Sequence, residues 1–298
     1  MPFLTFCKEQ NIKIKLNEPM KNHTSFKIGG NCDYFVMPEN AEQLKGVINK
    51  AKELEIPFFV LGKGSNLLVS DSGIEGAVIS MQGLNEIKVS GDEITAGAGV
   101  SVANLCNAAL QNGLSGIEFA YGIPGSVGGG LYMNAGAYGG QFSDAVVSAE
   151  YLTRDGEVVK IGLADMELGY RTSIFKQNGG IILSASFKLQ KGEADKIKAA
   201  MDDYMERRIT KQPLEYPSAG SVFKRPEGYF AGALIEQNNL KGFSVGGAQV
   251  SVKHAGFIIN YENATANDVK SLIKEIQSVV KNADGVDLET EIIFVGKE

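Results

Sequence analysis

The feature that most constrains this chain is a glycine-rich stretch at residues 113–140, which reads GLSGIEFAYGIPGSVGGGLYMNAGAYGG. Ten of its 28 positions are glycine, whereas the whole chain of 298 residues contains 36. Glycine loses more conformational freedom on folding than any other residue, so it is kept where the backbone needs a positive φ or a close approach. The stretch could form tight turns in a β-rich domain. Its length favours a second interpretation, a bed for a large flat or phosphorylated ligand.

The composition indicates an ordinary soluble protein. The chain is long enough for a good core and two domains, with 44% hydrophobic and 21% charged residues. A formal charge of −6 argues against a general nucleic-acid binder. Lys8 interrupts the N-terminal apolar residues, and no apolar run reaches bilayer length. We expect a cytoplasmic protein that binds no nucleic acid and no membrane, and no obligate protein partner is evident.

Cysteine and histidine are too few and too scattered to predict a metal centre. Cys7, Cys32 and Cys106 show no C-x-x-C spacing, and the two histidines are His23 and His254. Structural zinc sites usually need four such ligands at short, regular spacings. The sequence therefore predicts no metal site, and it predicts buried free thiols in a reducing compartment.

The hydrophobic periodicity predicts a mixed α+β fold. Helical spacing of apolar residues predicts helices near 41–55, 102–112, 193–209, 230–238 and 266–282. Short apolar runs between turn residues predict strands near 57–61, 67–69, 77–79, 87–89, 94–96, 146–152, 157–161, 181–189, 257–259 and 288–293. The composition changes near Glu193, where a charged amphipathic helix is predicted to begin. This change favours a second, C-terminal domain.

A second glycine turn follows the predicted strand at Pro57–Leu61 and reads Gly62-Lys63-Gly64-Ser65-Asn66. A strand that ends in such a turn can direct backbone N–H groups at a phosphate. The turn is not a P-loop, because no Gly-Lys-Ser/Thr completes the spacing. It is not a Rossmann fingerprint either, since Leu67 stands where the third glycine belongs. The residues alone do not identify the ligand.

Six motifs that occur in a fixed order give the sequence a specific resemblance to a known family. They are HTSFKIGG, VLGKGSNLLVSDSGIEGAVI, GIPGSVGG followed by MNAGAYG, YRTSIFK, AGSVFKRP and LETEIIFVG. Together they resemble the UDP-N-acetylenolpyruvoylglucosamine reductase family over about residues 20–296. Each motif alone would be weak evidence, and six in order are strong.

The resemblance implies an architecture, an activity and two nucleotide ligands. The fold would be α+β, with an FAD-binding domain of the vanillyl-alcohol oxidase (PCMH) type at 1–195, in lobes of about 1–70 and 71–195. A smaller substrate domain would follow at 196–298. NADPH would reduce a non-covalently bound FAD, which would reduce UDP-N-acetylglucosamine enolpyruvate to UDP-N-acetylmuramate for peptidoglycan synthesis. The resemblance also implies that NADPH and substrate use one pocket in turn, and the sequence shows no separate Rossmann unit for NADPH. His23 would be structural.

Three catalytic residues follow from the match, namely Arg171, Ser221 and Glu291. The resemblance implies that Ser221 donates a proton, and that Arg171 and Glu291 bind and polarise the substrate carboxylate as negative charge develops. Taken singly, these residues would be a surface arginine, a turn serine and a strand glutamate facing water, as Glu289 is expected to do.

The match also implies binding residues and a subtype. The substrate contacts would be Arg208, Lys211, Lys224 and Tyr170. Since Arg171 and Ser221 are only 50 positions apart, there is no room for the tyrosine loop of longer members, which implies the shorter subtype. The cofactor contacts would be Gly62, Lys63, Gly64, Ser65, Asn66, Leu67, Gly122, Ile123, Pro124, Gly125, Ser126, Gly128, Asn134, Ala135 and Gly136.

Two alternatives remain open at the level of the sequence. One is an FAD-dependent alcohol oxidase with the same flavin fold, whose flavin an alcohol would reduce in place of NADPH. The other is a non-catalytic protein that binds flavin or a nucleotide sugar without turnover.

Overall fold

A computed structural model describes residues 1–297 and divides them into two compact units. Unit 1 comprises residues 1–15, 34–63 and 77–208, and unit 2 comprises residues 16–33 and 64–76 together with the described residues from 209 onward. Each unit has its own hydrophobic core: Leu44, Ile79 and Phe187 are buried in unit 1, and Phe26, Ile258 and Ile276 in unit 2. Burial of these apolar side chains is the main stabilising contribution in each unit.

Among the described residues, five helices occur where the apolar periodicity predicts them, whereas the short helices Pro2–Glu9, Val127–Tyr132 and Ile174–Asn178 were not predicted. Asn40, Ser101 and Thr265 cap the N-termini of α2, α3 and α8 through their side chains, which supplies acceptors for otherwise unpaired N–H groups. Helix α8 ends at Gly285, whose φ is +72°. The helices are α1 (Pro2–Glu9), α2 (Ala41–Glu53), α3 (Val102–Gln111), α4 (Val127–Tyr132), α5 (Ile174–Asn178), α6 (Ala194–Lys211), α7 (Ala231–Gln237) and α8 (Ala266–Asp284).

The strands are short and mostly antiparallel. They are β1 (Lys13–Pro19), β2 (Asn31–Met37), β3 (Phe58–Leu61), β4 (Leu67–Val69), β5 (Ile74–Ser80), β6 (Ile87–Ser90), β7 (Glu93–Gly97), β8 (Leu114–Ser115), β9 (Gly136–Ala137), β10 (Gly140–Gln141), β11 (Val146–Leu152), β12 (Val158–Gly162), β13 (Ile181–Lys188), β14 (Gln190–Lys191), β15 (Ser218–Ser221), β16 (Ser244–Val245), β17 (Ala248–Val250), β18 (Phe257–Asn260) and β19 (Ile293–Val295).

Unit 1 contains a five-stranded antiparallel sheet in the order β12-β11-β13-β7-β6. Strands β3 and β5 pair in parallel, with Phe58 opposite Ala77, in a sheet of order β1-β2-β5-β3. Unit 2 contains the antiparallel sheet β15-β18-β17-β16 and the parallel pair β19 and β4. Long helices together with mainly antiparallel sheets confirm the predicted α+β class.

Two local predictions need correction. The last strand was expected at 288–293, but the regular ladder runs over Ile293–Val295, where β19 pairs with β4. Thr290, just before this strand, forms an isolated antiparallel bridge with Phe223 instead of part of a regular ladder. The sequence interpretation also missed helix α1, whose eight residues bury only Phe3 and Cys7. That is too short a pattern for a reliable period.

Helix α6 lies mainly in unit 1, since the division between the units falls after Arg208. Its Ile197 and Met201 are part of the unit 1 core. The sequence had assigned this helix to the C-terminal domain, because its charged composition differs from that of the preceding strands. The boundary between the compact units therefore lies about one helix after the boundary that the composition predicts. The functional boundary between the domains stays a prediction.

The three thiols are buried, as predicted. Burial raises the pKa of Cys7 and of Cys32 to about 11, and it also raises the pKa of Cys106. Over residues 1–297, no helix combines the length and the apolar character that a membrane span needs.

Candidate functional site

The first part of the glycine-rich stretch leaves space above its backbone. A Cβ added at Gly125 would find its nearest atoms, Ile123 Cγ2 and Val102 Cγ2, at 3.8 Å. A Cβ at Gly129 would lie 3.4 Å from Ser126 Oγ. These are ordinary contact distances, so packing within the protein does not explain the missing side chains. This part of the stretch fits a bed for a ligand.

Gly128 and Gly130, on either side of Gly129, and the later Gly136 are explained by packing within unit 1. A Cβ at Gly128 would lie 2.8 Å from Ala98 Cβ, and one at Gly130 would lie 2.6 Å from the Phe142 ring. At Gly136 the nearest atom would be the Gly140 carbonyl oxygen at 2.7 Å. Close packing thus explains these three glycines, and the ligand bed stays a prediction for Gly125 and Gly129. The absence of side chains at Gly128 and Gly136 needs no ligand to account for it.

Ser126 joins the first part of the stretch to the end of β3. Its side chain accepts a hydrogen bond from the Gly129 N–H at 3.3 Å, caps α4 and is 1% exposed. A Cβ at Gly62 would lie 2.7 Å from Ser126 Oγ. The glycine at position 62 thus allows the two predicted cofactor loops to meet within unit 1.

The Arg208 side chain lies against the glycine-rich stretch. A Cβ at Gly122 would lie 2.9 Å from Arg208 Cδ. Burial lowers the pKa of the Arg208 guanidinium, and the nearby Tyr138 opposes that shift. Among residues 1–297, no carboxylate forms an ion pair with Arg208, whereas its neighbour Arg207 pairs with Asp203 at 2.7 Å. A half-buried cation without an acidic partner is a candidate binding site for an anion.

A tyrosine pair fixes the helix that carries Arg208. The rings of Tyr138 and Tyr204 stack with centroids 5.1 Å apart and an interplanar angle of 22°. Tyr138 has a φ of +54° in the turn between β9 and β10, a conformation that an aromatic residue seldom adopts. No sequence motif indicated this stack, because its partners are 66 positions apart (204 − 138).

Arg171 lies in a tight turn of unit 1. Gly169 and Thr172 form an isolated bridge around it, and Arg171 itself has a φ of +56°. Its guanidinium carbon lies 5.4 Å from the centre of the Tyr170 ring. The predicted substrate residue Tyr170 is 58% exposed. The turn therefore presents an arginine and an exposed aromatic side chain side by side.

Ser221 and Glu291 come together in unit 2. Ser221 ends β15, after Gly220 with a φ of +78°. The Glu291 N–H donates to the Val222 carbonyl at 2.7 Å, so the serine and the glutamate occupy neighbouring positions on paired segments. Glu289, two residues earlier, forms an ion pair at 2.8 Å with Lys224, and its side chain is 74% exposed. Glu289 thus faces water, as predicted.

Asn66 supports the segment that carries Glu291. Its side-chain amide donates to the Glu291 carbonyl at 3.1 Å, and its own carbonyl accepts from the Ile293 N–H at 3.0 Å. Gly64 is required locally, because a Cβ there would lie 2.2 Å from the His23 carbonyl oxygen. His23 in turn contacts Glu18 at 2.8 Å. The sequence treated Asn66 as a cofactor residue and did not detect its link to Glu291.

The remaining predicted residues take varied positions. In unit 1, Lys63 and Pro124 are exposed, Ile123 is half-buried, and Ala135 is 9% exposed. The Asn134 side chain is 2% exposed and points into the protein, where it makes hydrogen bonds. In unit 2, Leu67 begins β4 and is buried, Ser65 is half-buried, and Lys211 is exposed at the end of α6.

Comparison with known families assigns both parts of the chain. The family described as "UDP-N-acetylenolpyruvoylglucosamine reductase, C-terminal domain" matches residues 212–295. The family described as "FAD binding domain" matches residues 32–162, which include the glycine-rich stretch. These matches support the predicted combination of an FAD-binding domain and a smaller C-terminal domain.

Similar proteins extend over nearly the whole chain. A UDP-N-acetylenolpyruvoylglucosamine reductase of Clostridium novyi is 51% identical over 96% of this chain and 93% of its own length. A reductase of the same name from Clostridium tetani is 50% identical over the same shares. The crystal structure of this reductase from Thermus caldophilus has a TM-score of 0.81 and 34% identity, covering 95% of this chain and 98% of that one. The chain therefore belongs to the UDP-N-acetylenolpyruvoylglucosamine reductase family, and it is an oxidoreductase with an FAD-binding domain.

Proposed function

We propose that this protein uses NADPH to reduce the enolpyruvyl group of UDP-N-acetylglucosamine enolpyruvate, which yields UDP-N-acetylmuramate. The observation that carries the proposal is the pairing in unit 2 that sets Ser221 beside the Glu291 segment, in a chain of this reductase family. A hydroxyl and a carboxylate held by backbone pairing suit the transfer of one proton and the polarisation of a carboxylated double bond.

The residues of unit 1 fit FAD. Gly125 leaves its backbone accessible, Gly122 packs against the Arg208 side chain, and Arg208 offers a positive charge without an acidic partner among the described residues. A pyrophosphate would supply that charge partner, and backbone N–H groups bind phosphate where no Cβ intervenes. When bound, FAD would accept hydride from NADPH and pass it to the enolpyruvyl double bond. We further propose that the cofactor is held without a covalent bond.

Arg208 belongs with the cofactor in this proposal. The sequence suggested that it contacts the diphosphate of the substrate. Its Cδ lies 2.9 Å from where a Cβ of Gly122 would stand, so the arginine packs directly against the glycine-rich stretch. Lys211 and Lys224, which lie in unit 2, remain the proposed cationic contacts of the substrate, with Tyr170 as an aromatic contact.

The chemistry of the second step assigns three roles. Hydride addition to the terminal carbon leaves negative charge on the neighbouring carbon and its carboxylate. We assign Arg171 and Glu291 to bind and polarise that carboxylate, and Ser221 to give its hydroxyl proton to the carbon. A serine is a weak acid, so this transfer needs a strongly basic carbanion and a cationic surrounding. Lys224, three positions after Ser221, is the proposed source of part of that charge, and it also forms an ion pair with Glu289.

Spectroscopy and a coupled assay test the proposal together. The purified protein should be yellow, and NADPH alone should bleach the flavin absorbance. Continued NADPH oxidation should then require UDP-N-acetylglucosamine enolpyruvate, with UDP-N-acetylmuramate as the product by mass spectrometry. Acid precipitation should leave the yellow colour in solution, whereas colour in the pellet would contradict the non-covalent assignment.

Two results would overturn the proposal. Bleaching by an alcohol but not by NADPH would identify an alcohol oxidase of the same flavin fold. A yellow protein that neither NADPH nor an alcohol bleaches, and that oxidises no NADPH when the enolpyruvyl sugar is added, would identify a binding protein without turnover. A role in peptidoglycan precursor synthesis follows from the proposed product, and the cytoplasmic location expected from the sequence stays a prediction.

A further inference from the structure

We propose that Asn134 is a positioning residue for Arg171: its buried side-chain amide holds the turn from Gly169 to Thr172 and thereby sets the direction of the arginine. This inference rests on the role proposed above for Arg171 at the substrate carboxylate. It gives the glycine-rich stretch a second function, because the stretch would then orient a substrate-binding side chain as well as hold the cofactor.

The hydrogen bonds of Asn134 carry the argument. Its Nδ2 donates to the Gly169 carbonyl at 3.1 Å, and its Oδ1 accepts from the Ser143 N–H at 3.0 Å. The same Nδ2 lies 3.3 Å from Gln141 Oε1 and 3.4 Å from Ser143 Oγ. The side chain is thus fully engaged with the protein. A buried amide with several partners restrains all of them, since each broken bond would leave a polar group without water.

The turn itself is constrained at both ends. Gly169 accepts from Asn134, and Ser173 donates through its hydroxyl to the Tyr132 carbonyl at 2.8 Å. Tyr132 is the last residue of α4, and Asn134 follows it two positions later. One short segment therefore makes two hydrogen bonds to the turn. Between these two anchors lies Arg171, with a φ of +56°. A left-handed arginine is an unfavourable conformation that surrounding contacts must maintain.

The residue type at position 134 is compatible with the backbone conformation there. Its φ is +43°, a region in which asparagine is more common than most residues. Aspartate tolerates the same region and has nearly the same shape. Asn134→Asp keeps an acceptor for the Ser143 N–H and replaces the donor to Gly169 with an oxygen. The substitution therefore removes the donor to Gly169, together with the longer contacts of the same nitrogen to Gln141 Oε1 and Ser143 Oγ, with little change in volume.

The experiment compares Asn134→Asp with Ser143→Ala. The control removes a hydroxyl at 3.4 Å from the same amide but leaves the backbone N–H of residue 143 and the bond to Gly169. Stopped-flow absorbance at the flavin band measures two rates, reduction by NADPH and reoxidation by the enolpyruvyl sugar. Calorimetry measures the affinity for UDP-N-acetylmuramate, and thermal unfolding with flavin content measures folding. Asn134→Gly, which is compatible with the positive φ, replaces Asn134→Asp if the latter does not fold.

The expected result is a division between the two half-reactions. Reduction by NADPH should stay within about threefold of the starting protein, while reoxidation by the sugar and affinity for the product should each fall about 10- to 100-fold, because a small misplacement of a binding group has effects of this size. Ser143→Ala should leave both rates unchanged. In an Arg171→Ala background, Asn134→Asp should have little further effect, since it acts through the arginine.

The outcomes separate this inference from the proposed function. Equal losses in both half-reactions, or a full effect of Asn134→Asp when Arg171 is already alanine, would overturn the positioning role. If Arg171→Ala alone leaves reoxidation and product affinity unchanged, then the role proposed for Arg171 is wrong, and the inference is overturned with it. A normal reoxidation rate in folded Asn134→Asp would overturn the inference and leave the proposed function intact.

Discussion

The two units hold their proposed functional residues in different ways. In unit 1 these residues lie on turns and at a helix end: Gly122 and Gly125 contribute backbone, and Arg171 lies in a left-handed turn. In unit 2 they lie on paired extended segments, with Ser221 at the end of β15 and Glu291 bonded to the neighbouring Val222.

This difference suggests a division of labour. A large cofactor needs close approach over a long surface, which glycine backbone and turns provide. Proton transfer needs side chains fixed to within a fraction of an ångström, which neighbouring segments joined by backbone hydrogen bonds provide. We therefore expect substitutions in unit 1 to change cofactor binding or stability, and substitutions in unit 2 to change the second half-reaction. Arg171 and Asn134 would be exceptions, since Arg171 lies in unit 1 and has a proposed role in the second step, and Asn134 would act through it.

The largest expected effect belongs to Ser221→Ala in unit 2. Loss of the proposed proton donor should slow reoxidation by the enolpyruvyl sugar about 10²- to 10⁴-fold. Flavin content and the rate of reduction by NADPH should be unchanged. Stopped-flow absorbance measures both rates, and Ser244→Ala on the separate strand β16 is the matched control. Full turnover by Ser221→Ala would refute the donor assignment.

Arg208→Ala tests the cofactor side of the comparison. Loss of a guanidinium bound to a pyrophosphate removes about 1.5–3 kcal/mol, so FAD affinity should fall about 10- to 100-fold, as measured by flavin fluorescence on titration of the apoprotein. Arg207→Ala is the control, because Arg207 already pairs with Asp203 on an exposed helix face. Equal effects of the two substitutions would mean that only the general positive charge of the helix matters.

Two glycine substitutions in unit 1 distinguish a glycine required by packing from one that leaves space for the cofactor. Gly130→Ala would place a Cβ 2.6 Å from the Phe142 ring, so we expect the free energy of unfolding to fall by about 1–3 kcal/mol. Gly125→Ala would meet its nearest atoms at 3.8 Å, so stability should hardly change while FAD affinity falls. Denaturant titration and flavin fluorescence measure these quantities. The opposite pattern would show that the bed is assigned to the wrong glycines.

The smallest expected effect is a change in the free energy of unfolding with pH, to which a thiol in each unit contributes. Cys7 in unit 1 and Cys32 in unit 2 each have a pKa raised by burial to about 11, from an ordinary value of 9.0. In the unfolded chain these thiols ionise first, so the free energy of unfolding should fall as the pH rises from about 9 through about 11. Urea titrations at several pH values measure this change. Cys7→Ala and Cys32→Ala should each reduce the slope, and an unchanged slope would contradict the assigned burial.

Much of the fold is local enough to be predicted from the sequence. Helices α2, α3 and α8 follow from apolar spacing and from the caps Asn40, Ser101 and Thr265, since these signals involve residues within a few positions of each other. The order of six motifs likewise identified the reductase family and its FAD-binding domain, which the comparisons confirm.

Only the tertiary structure decided which role each glycine and each polar side chain plays. Gly130 is tight because of Phe142, and Arg208 is half-buried against Gly122 from a helix far along the chain. Asn134 reaches the carbonyl of Gly169, 35 residues away. Such contacts depend on the packing of distant segments, and a sequence pattern records neighbours along the chain. The sequence therefore determined the family and most helices, while the folded chain determined which residues support the proposed site.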